Sequence, residues 1–536
     1  MYISTHFKFI RKRHNMTKRR DFIKAAALGS AVMSFPSVLM QSCKTAANAS
    51  SNGSASYFMT ASPESQGISS SAILNFIEAA NKCDYEWHGF SLIRHGKKIA
   101  EAYWAPFEKG GKHTLYSLSK SFTSTAIGLL VDGGKLKVTD QVISFFPESL
   151  PTDVSDNLKA MTVHHLLSMN TGNETEPAFR GDVTKTWVQN WLAHPVPHAP
   201  GSHFLYNTGA TYMLGAIVHK ITGETLVQFL KPRLFDPLGI TDYDWEESPQ
   251  GLNTAGYGLR VSTESIARFG QLYLQKGNWK GKQLISEKWV EEATKKQGPS
   301  QDNDSDWGQG YGYQFWRCKP GFYRGDGAFG QYCIVMPQYD AVLAINSESW
   351  DMGKSMQIAW DTLLPAFKEN ALTENPQALA ALNQKMTTLQ IPTKKSAPMI
   401  AAKHQGKSHS FTLENNDLGI QKVGLAFTDK NCSLTITKAG GTMTSIFAYD
   451  GWAKNPAKNY GLLPKDSNQI NIPFAGSAHW ESDDQLRLVV KFTEGIHSDK
   501  LRLDLAGGKL RLEMMGSVVE SRKGVDGRKA LMGVLG

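Results

Sequence analysis

Residues 115–124 read Leu-Tyr-Ser-Leu-Ser-Lys-Ser-Phe-Thr-Ser and place a candidate nucleophile at the start of an apolar helix. Ser117 and Lys120 are three positions apart, so on a helix their side chains share one face. A serine hydroxyl needs a base nearby, and the first helical turn favours developing negative charge. The apolar periodicity over 122–131 predicts a buried helix, which would desolvate Lys120 and lower its pKa. Taken alone, the spacing favours the alternative, an N-cap serine with a surface lysine.

A second stretch, 200–209, reads Pro-Gly-Ser-His-Phe-Leu-Tyr-Asn-Thr-Gly and precedes a helix predicted over 211–221. A tyrosine on such a loop can reach across a cleft between two subdomains. Beside a lysine ammonium the phenol pKa of Tyr206 should fall, so that it could take the serine proton. The alternative is a core tyrosine with a satisfied hydroxyl.

A third stretch, 323–331, reads Tyr-Arg-Gly-Asp-Gly-Ala-Phe-Gly-Gln. Its glycines allow a strand edge to approach a ligand closely, and a backbone N–H there can complete an oxyanion hole with that of Ser117. The alternative is a tight turn between two strands. Three such elements in this order are far more specific than any one of them.

With these elements the chain resembles the serine β-lactamase/penicillin-binding-protein superfamily, in the class C-like branch that also holds esterases, D-aminopeptidases and nylon-oligomer hydrolases. Residues 164–172, His-His-Leu-Leu-Ser-Met-Asn-Thr-Gly, are similar to the family's HLLSxxSG segment. Further similar segments lie at 234–240, 258–263 and 267–272.

The resemblance implies an α+β fold, with an antiparallel sheet flanked by helices and an additional all-α subdomain. It also implies roles for three residues. Ser117 would form the acyl-enzyme, Lys120 would activate it electrostatically, and Tyr206 would be the general base in acylation and the activator of water in deacylation.

Two departures from the family pattern bear on the substrate. The family usually has Tyr-x-Asn, where this chain has Tyr206-Asn207-Thr208, so the asparagine is displaced or replaced by a hydroxyl. Asp326 matches the place of a cation that helps bind a substrate carboxylate, and it would repel one; alternatively it pairs with Arg324. Both changes favour a neutral or cationic acyl donor, an ester or an amine-bearing amide. The predicted substrate-binding residues are Asn207, Thr208, Asp326, Gly327 and Ala328.

The length and patterning predict two folded domains. The chain has 536 residues, of which 41% are hydrophobic and 20% charged, as in ordinary globular proteins. Mixed α and β patterns cover 61–390, and 391–536 is β-rich after a linker-like start at 391–398, so we expect a small sandwich or barrel. The main predicted elements are strands at 90–93 and 98–103 around His95-Gly96, helices at 122–131, 211–221 and 376–389, and strands at 311–316, 331–335, 341–345, 434–437, 486–492, 501–505 and 510–513.

Residues 1–42 are predicted to be a signal peptide. They carry eight Lys/Arg and one Asp, followed by an apolar stretch of small residues. Residues 17–24, Thr-Lys-Arg-Arg-Asp-Phe-Ile-Lys, resemble a twin-arginine signal, and 40–43, Met-Gln-Ser-Cys, resemble a lipoprotein cleavage box with lipidation at Cys43. A Sec signal and an uninvolved cysteine are the alternatives. Residues 43–60 are predicted to be a flexible tether.

The distribution of charge excludes a nucleic-acid-binding protein. Of the net charge of +9, the signal carries +7 and 391–536 carries +6, which leaves −4 for 43–390, whereas DNA binding would need a basic stripe. The sequence contains no Gly-x-Ser-x-Gly, Walker or His-Glu-x-x-His motif. Four widely spaced cysteines favour buried thiols over one disulfide, and we expect neither a metal nor a cofactor.

The sequence therefore predicts a periplasmic or membrane-anchored serine hydrolase that cleaves an ester or amide of a small molecule or short peptide. Hydrolysis of β-lactams is less favoured. The only membrane contact expected is a lipid anchor, and the C-terminal domain should cover, orient or extend the site. The rival is a sensor-type, penicillin-binding lipoprotein that uses the same pocket without turnover.

Overall fold

The computed structural model describes residues 57–396, 404–455, 459–464, 467 and 471–536. Over the first range it contains a six-stranded antiparallel sheet with the order β2-β1-β11-β10-β9-β8. The strands of this domain are β1 (Glu86–Arg94), β2 (Lys97–Tyr103), β3 (Lys112–Thr114), β4 (Asp244–Trp245), β5 (Leu259–Ser262), β6 (Asn278–Trp279), β7 (Lys282–Gln283), β8 (Trp316–Arg317), β9 (Tyr323–Gly327), β10 (Gln331–Met336) and β11 (Ala341–Glu348).

Helices cover both faces of the sheet. They are α1 (Ser70–Asn81), α2 (Ser119–Asp132), α3 (Asp156–Ala160), α4 (Val163–Leu167), α5 (Trp187–Leu192), α6 (Thr208–Thr222), α7 (Leu226–Leu230), α8 (Asp236–Leu238), α9 (Thr263–Leu274), α10 (Glu287–Thr294), α11 (Met352–Thr362) and α12 (Pro376–Thr387). The helices α3 to α8 form an all-α subdomain. The antiparallel sheet, its flanking helices and this subdomain confirm the predicted β-lactamase-like fold class.

The apolar side chains of β11 alternate between two hydrophobic cores, one on each face of the sheet. Val342 and Ala344 belong to the core shared with α2 and the all-α subdomain, whereas Leu343 and Ile345 belong to a second core shared with α1, α11 and α12. Successive side chains of a strand point to opposite faces, so a strand that is apolar throughout is buried on both.

Most predicted elements form, with one clear error. The hairpin turns at His95 and Gly96, both with positive φ, as the sequence predicted. The helix predicted over 211–221 ends one residue later, at Thr222, where Gly223 caps α6 in the left-handed conformation. The strand predicted over 311–316 is wrong: only Trp316 enters β8, because the chain turns at Gln314, whose φ is 66°.

Residues 1–56 lie outside the described residues, and with them the predicted signal peptide, Cys43 and most of the predicted tether 43–60. The end of that tether is packed rather than free. Phe58 is buried in the core, and Thr60 pairs with β2. The folded domain thus begins before residue 61.

The C-terminal domain is a closed nine-stranded barrel. Of the two predicted architectures, a sandwich or a barrel, the structure shows the barrel. The strands β12–β15 and β17–β21 pair in turn, and Ala448 on β15 pairs with Ser477 on β17 to close the ring. Its elements are β12 (Ser408–Leu413), β13 (Ile420–Phe427), β14 (Asn431–Lys438), β15 (Gly441–Ala448), β16 (Ala453–Lys454), β17 (Phe474–Trp480), β18 (Gln485–Phe492), β19 (Ser498–Asp504), β20 (Lys509–Gly516), α13 (Ser517–Ser521) and β21 (Leu531–Leu535).

A buried cation joins the barrel to the sheet. Lys491 on β18 is 1% exposed, and its Nζ lies 2.5 Å from Glu86 Oε2 and 3.2 Å from Glu348 Oε2. Glu86 and Glu348 are directly opposed across β1 and β11, an arrangement in which like charges repel. Burial would raise the pKa of Glu86, but Lys491 and the neighbouring His88 together outweigh burial and lower it to about 2. A cation from the barrel therefore offsets the repulsion between two carboxylates, Glu86 and Glu348, in the sheet.

Among the described residues, no helix combines the length and apolar character needed to cross a membrane. The described cysteines are free thiols, of which Cys318, Cys333 and Cys432 are buried and Cys83 is half-buried, in agreement with the prediction of buried thiols.

We predict that Lys491→Met destabilises the protein by about 3 kcal/mol, because it leaves two opposed carboxylates without their buried cation. Thermal melting followed by fluorescence measures this. Lys500→Met is the matched control: its ion pair with Glu520 is exposed, and its loss should cost less than about 1 kcal/mol. Equal melting temperatures for the two variants would contradict the role given to Lys491.

Candidate active site

Ser117 lies in a single 3₁₀ turn, Tyr116–Leu118, that leads directly into α2. The preceding residue, Tyr116, has φ of 47°, in the left-handed region. Non-glycine residues pay an energetic cost for this conformation, and it is enriched at functional sites. The half-buried Ser117 thus sits at a sharp corner before an N-terminal helical turn, where N–H groups point toward any developing anion.

Lys120 is 1% exposed and its ammonium faces Ser117. Its Nζ donates to Ser117 Oγ at 3.2 Å, to the Gly256 carbonyl at 2.8 Å and to Thr208 Oγ1 at 3.5 Å, none of which is charged. Burial therefore lowers the pKa of Lys120 to about 7, although Glu176 and Asp326 oppose the shift. A large fraction of Lys120 is neutral near pH 7 and can accept a proton from Ser117.

Tyr206 lies over Lys120, with the Nζ 4.9 Å from the ring centroid. Its ring stacks on Trp316 at 5.6 Å and meets the edge of Tyr311 at 6.1 Å. Burial raises the pKa of Tyr206, Asp326 raises it further, and a hydrogen bond to Ser117 only partly offsets this. The expected fall of the Tyr206 pKa is therefore wrong, because desolvation outweighs the lysine. Tyr206 stays a phenol, and Lys120 is the group poised to lose its proton.

The edge of β9 passes close to the nucleophile, as the glycines predicted. A Cβ at Gly327 would lie 2.0 Å from the Leu115 carbonyl oxygen and 3.2 Å from the Leu118 nitrogen, so no side chain fits there. Because β8 pairs with β9 only up to Arg324, the backbone at Gly327 and Ala328 is unpaired on that side within the described sheet. This edge faces the corner that carries Ser117.

Asp326 does not offer a free charge to the site. Its Oδ2 accepts a hydrogen bond from Arg324 Nε at 2.9 Å, and both side chains are buried. Of the two alternatives for Asp326, the structure shows the ion pair with Arg324. The pair is neutral overall, so Asp326 belongs to the frame behind the site rather than to its surface.

Asn207 is also part of the frame, contrary to its prediction as a substrate-binding residue. It is fully buried, and its Oδ1 caps α6 by accepting from the Ala210 nitrogen at 2.9 Å. Its Nδ2 donates to Asn173 Oδ1 at 3.4 Å. Thr208, by contrast, is half-buried with its hydroxyl within reach of Lys120.

Two neighbours of the site were missed from the sequence. Glu176 is exposed, and its Oε1 accepts from the Thr208 nitrogen at 2.9 Å, which places a negative charge near Lys120. Gly256 supplies the carbonyl that receives Lys120, and a Cβ there would lie 2.8 Å from Thr208 Cγ2. Neither residue lies in a motif, so no spacing signals it.

Within the part of the chain that the structure describes, two clusters have potential metal-ligand atoms within 4.8 Å of one another: Glu174 with His198 and His203, and Glu86 with His88 and Glu348. In the second, the Lys491 ammonium already contacts both carboxylates. In the first, the two imidazoles stack on each other at 4.6 Å. Neither cluster includes Ser117, Lys120 or Tyr206.

The sequence is similar to known proteins. A family model described as Beta-lactamase matches residues 88–366. The 6-aminohexanoate-dimer hydrolase of Paenarthrobacter ureafaciens is 26% identical over 288 residues, which cover 49% of this chain and 72% of the relative. A Beta-lactamase of Escherichia coli K12 is 25% identical over 186 residues, 30% of this chain and 47% of the relative. The chain thus matches about half the length of that second relative.

The chain is also similar to solved structures. The octameric penicillin-binding protein homologue from Pyrococcus abyssi covers 86% of this chain and 99% of its own, with a TM-score of 0.45 and 17% sequence identity.

We predict that the rate at which a fluorophosphonate labels Ser117 rises with pH through about 7 and then levels off. A neutral Lys120 is needed to take the serine proton, and its pKa is about 7. Stopped-time labelling between pH 5 and 10 measures the profile. Lys120→Arg should label slowly without this step, because a guanidinium does not lose its proton. A wild-type rate that climbs steadily to pH 10 would show that Lys120 has an ordinary pKa.

Proposed function

The chain belongs to the beta-lactamase family. We propose that it is an exported serine hydrolase that cleaves an ester or amide bond through an acyl-enzyme on Ser117. The observation that carries the proposal is the 3.2 Å contact between Lys120 Nζ and Ser117 Oγ at a buried site. A buried, uncharged amine beside a serine hydroxyl is the arrangement that general-base activation requires.

The first half-reaction follows from this contact. Lys120 takes the proton of Ser117 as Oγ attacks the acyl carbonyl, and the negative charge forms on the carbonyl oxygen. The backbone N–H groups of Ser117 and Ala328 are assigned to that oxyanion, since the β9 edge faces the nucleophile. The phenol of Tyr206, kept protonated by its raised pKa, then gives its proton to the leaving alcohol or amine as the bond between that group and the acyl carbon breaks. The Lys120 ammonium returns a proton to the phenolate, which leaves the acyl group on Ser117 Oγ.

The second half-reaction uses the same groups in reverse. Water loses a proton to Lys120 and attacks the acyl-enzyme, and Ser117 Oγ regains a proton as the carboxylic acid leaves. Lys120 is thus the base in both steps, and Tyr206 serves as proton donor and relay. This assignment reverses the expectation that Tyr206 is the base.

The charges around the site support a neutral or cationic acyl donor. Arg324, the basic side chain on β9, is fully buried and paired with Asp326, so it presents no positive charge to a substrate carboxylate. Glu176 is exposed beside Thr208 and presents a negative one. An ester or an amine-bearing amide of a small molecule or short peptide fits these charges better than a carboxylate-bearing β-lactam.

We predict that wild-type protein hydrolyses p-nitrophenyl esters and that Ser117→Ala is slower by at least about 10³-fold. Within the panel, kcat/KM should fall in the order cationic, neutral, anionic acyl group, because Glu176 attracts the first and repels the last. Thr123→Ala is a matched hydroxyl control on α2, since Thr123 points away to the Ala255 carbonyl.

Equal rates for Ser117→Ala and wild type would refute the mechanism. Labelling of one Ser117 per chain without turnover of any ester, amide or lactam would favour the sensor-type lipoprotein instead.

Export and lipid anchoring are a separate part of the proposal and rest on residues 17–24 and 40–43, outside the described residues. We predict that cells expressing the full chain incorporate palmitate into it, and that Cys43→Ala abolishes the incorporation while Cys83→Ala does not. Cell fractionation should find the wild-type chain with the membrane. A label that persists in Cys43→Ala would overturn lipidation at this residue.

A further inference from the structure

The loop between β18 and β19 of the barrel, residues 493–497, contacts Tyr116, the residue before Ser117. His497 at the end of this loop lies with its Nε2 2.8 Å from the Tyr116 hydroxyl. Its Nδ1 lies 2.8 Å from Glu348 Oε1. His497 is 7% exposed, so the contact from the barrel to the residue before Ser117 is buried.

The chemistry of the groups sets the direction of these hydrogen bonds. A carboxylate can only accept, so His497 Nδ1 carries a proton and donates to Glu348. In the neutral imidazole Nε2 then accepts the hydroxyl proton of Tyr116. Burial raises the pKa of Tyr116, so that hydroxyl keeps its proton. Glu348 is fixed in turn by Ser517 Oγ at 2.5 Å and by Lys491.

Tyr116 needs such a support. Its φ of 47° places a non-glycine residue in a left-handed conformation that is sterically unfavourable, and a free chain would relax toward negative φ. That relaxation would rotate the corner and move Ser117 Oγ away from Lys120. Phe329, also with positive φ, packs its ring 5.3 Å from Tyr116 and 4.6 Å from His497, so the same histidine touches both strained residues beside the nucleophile.

We propose that His497 of the barrel is a positioning residue for the reaction: through the Tyr116 hydroxyl it holds the strained corner that aims Ser117 at Lys120. This inference rests on the proposed function, and it gives the C-terminal domain a defined part in the reaction. His497 itself touches no reacting atom. Its effect should therefore appear in the rate of acylation and leave the affinity for substrate nearly unchanged.

The test uses the full chain and four variants: His497→Ala, His497→Gln, Tyr116→Phe and the double variant of His497→Ala with Tyr116→Phe. The number of competent sites is counted by fluorophosphonate labelling, and kcat and KM are then measured per labelled site with the best p-nitrophenyl ester. We expect His497→Ala and Tyr116→Phe each to lower kcat by about 10- to 100-fold with KM within about twofold. The double variant should be no slower than either single one, because both break the same contact.

Two controls separate positioning from general stability. His497→Gln keeps an acceptor for the Tyr116 hydroxyl and should recover most of the rate. His409→Ala removes another barrel histidine, which packs on Phe411 and Phe427 within the barrel, and should leave kcat per labelled site unchanged. Tyr116→Phe removes only the hydroxyl oxygen that contacts His497, so it tests the same contact even if His497→Ala folds poorly.

Hydrogen exchange provides a readout that needs no turnover. His497→Ala should raise amide exchange in peptides spanning 113–119, whereas His409→Ala should not. If the wild type neither labels nor hydrolyses, the proposed function fails, and exchange still decides whether His497 holds the corner. If kcat per labelled site stays within twofold in both His497→Ala and Tyr116→Phe, or exchange at 113–119 is unchanged, the positioning role is overturned.

Discussion

The candidate active site depends on Lys120, whose amine the fold buries without a counter-ion in contact with it. Lys120 Nζ is held by two hydroxyls and one carbonyl, and this set satisfies its N–H groups without stabilising its charge. A buried polar group must be hydrogen-bonded. Hydrogen bonds to neutral acceptors do not offset the free energy of burying a full positive charge, so the pKa of a buried lysine falls. The surroundings of Lys120 follow from that balance: the apolar helix α2 behind it, Gly256 to admit it, and the Tyr206 ring over it.

Local sequence signals selected Ser117, Lys120 and Tyr206, which the structure brings together, because each lies at or near a recognisable helix boundary. The Ser117–Lys120 spacing works because α2 begins at Ser119 and carries Lys120 one turn from the corner. Asn207 shows the limit. The helix was expected at 211 and begins at Thr208, which makes Asn207 its N-cap, a position that asparagine favours. The substrate contact expected at Asn207 came from the family's Tyr-x-Asn pattern, and that pattern does not show that this asparagine caps a helix.

Tertiary context decided what local patterns left open. The alternating aromatics at 311–316 satisfy a strand pattern, yet Tyr311 and Trp316 are packed as supports for Tyr206, and Gln314 turns the chain to bind the carbonyls of Leu166 and Leu167. Sequence periodicity reports that a segment is buried on alternate positions, but not what it is buried against. In the same way, the number of cations in 391–536 could not reveal that Lys491 is buried against carboxylates 143 and 405 residues away.

Two lysines of this protein are equally buried, at 1% exposed each, and they show why partners rather than burial determine what a lysine does. Burial would lower the pKa of Lys491 as it lowers that of Lys120, but Glu86 and Glu348 outweigh burial and raise it. Lys491 therefore keeps its charge and serves as a structural tie between barrel and sheet. Lys120 lacks such an ion pair, so its pKa falls to about 7. The same side chain is thus a permanent cation at the interface with the barrel and, beside Ser117, an amine whose pKa allows it to exchange a proton near pH 7. Glu348 contacts both Lys491 and His497, and His497 contacts Tyr116 at the corner that carries Ser117.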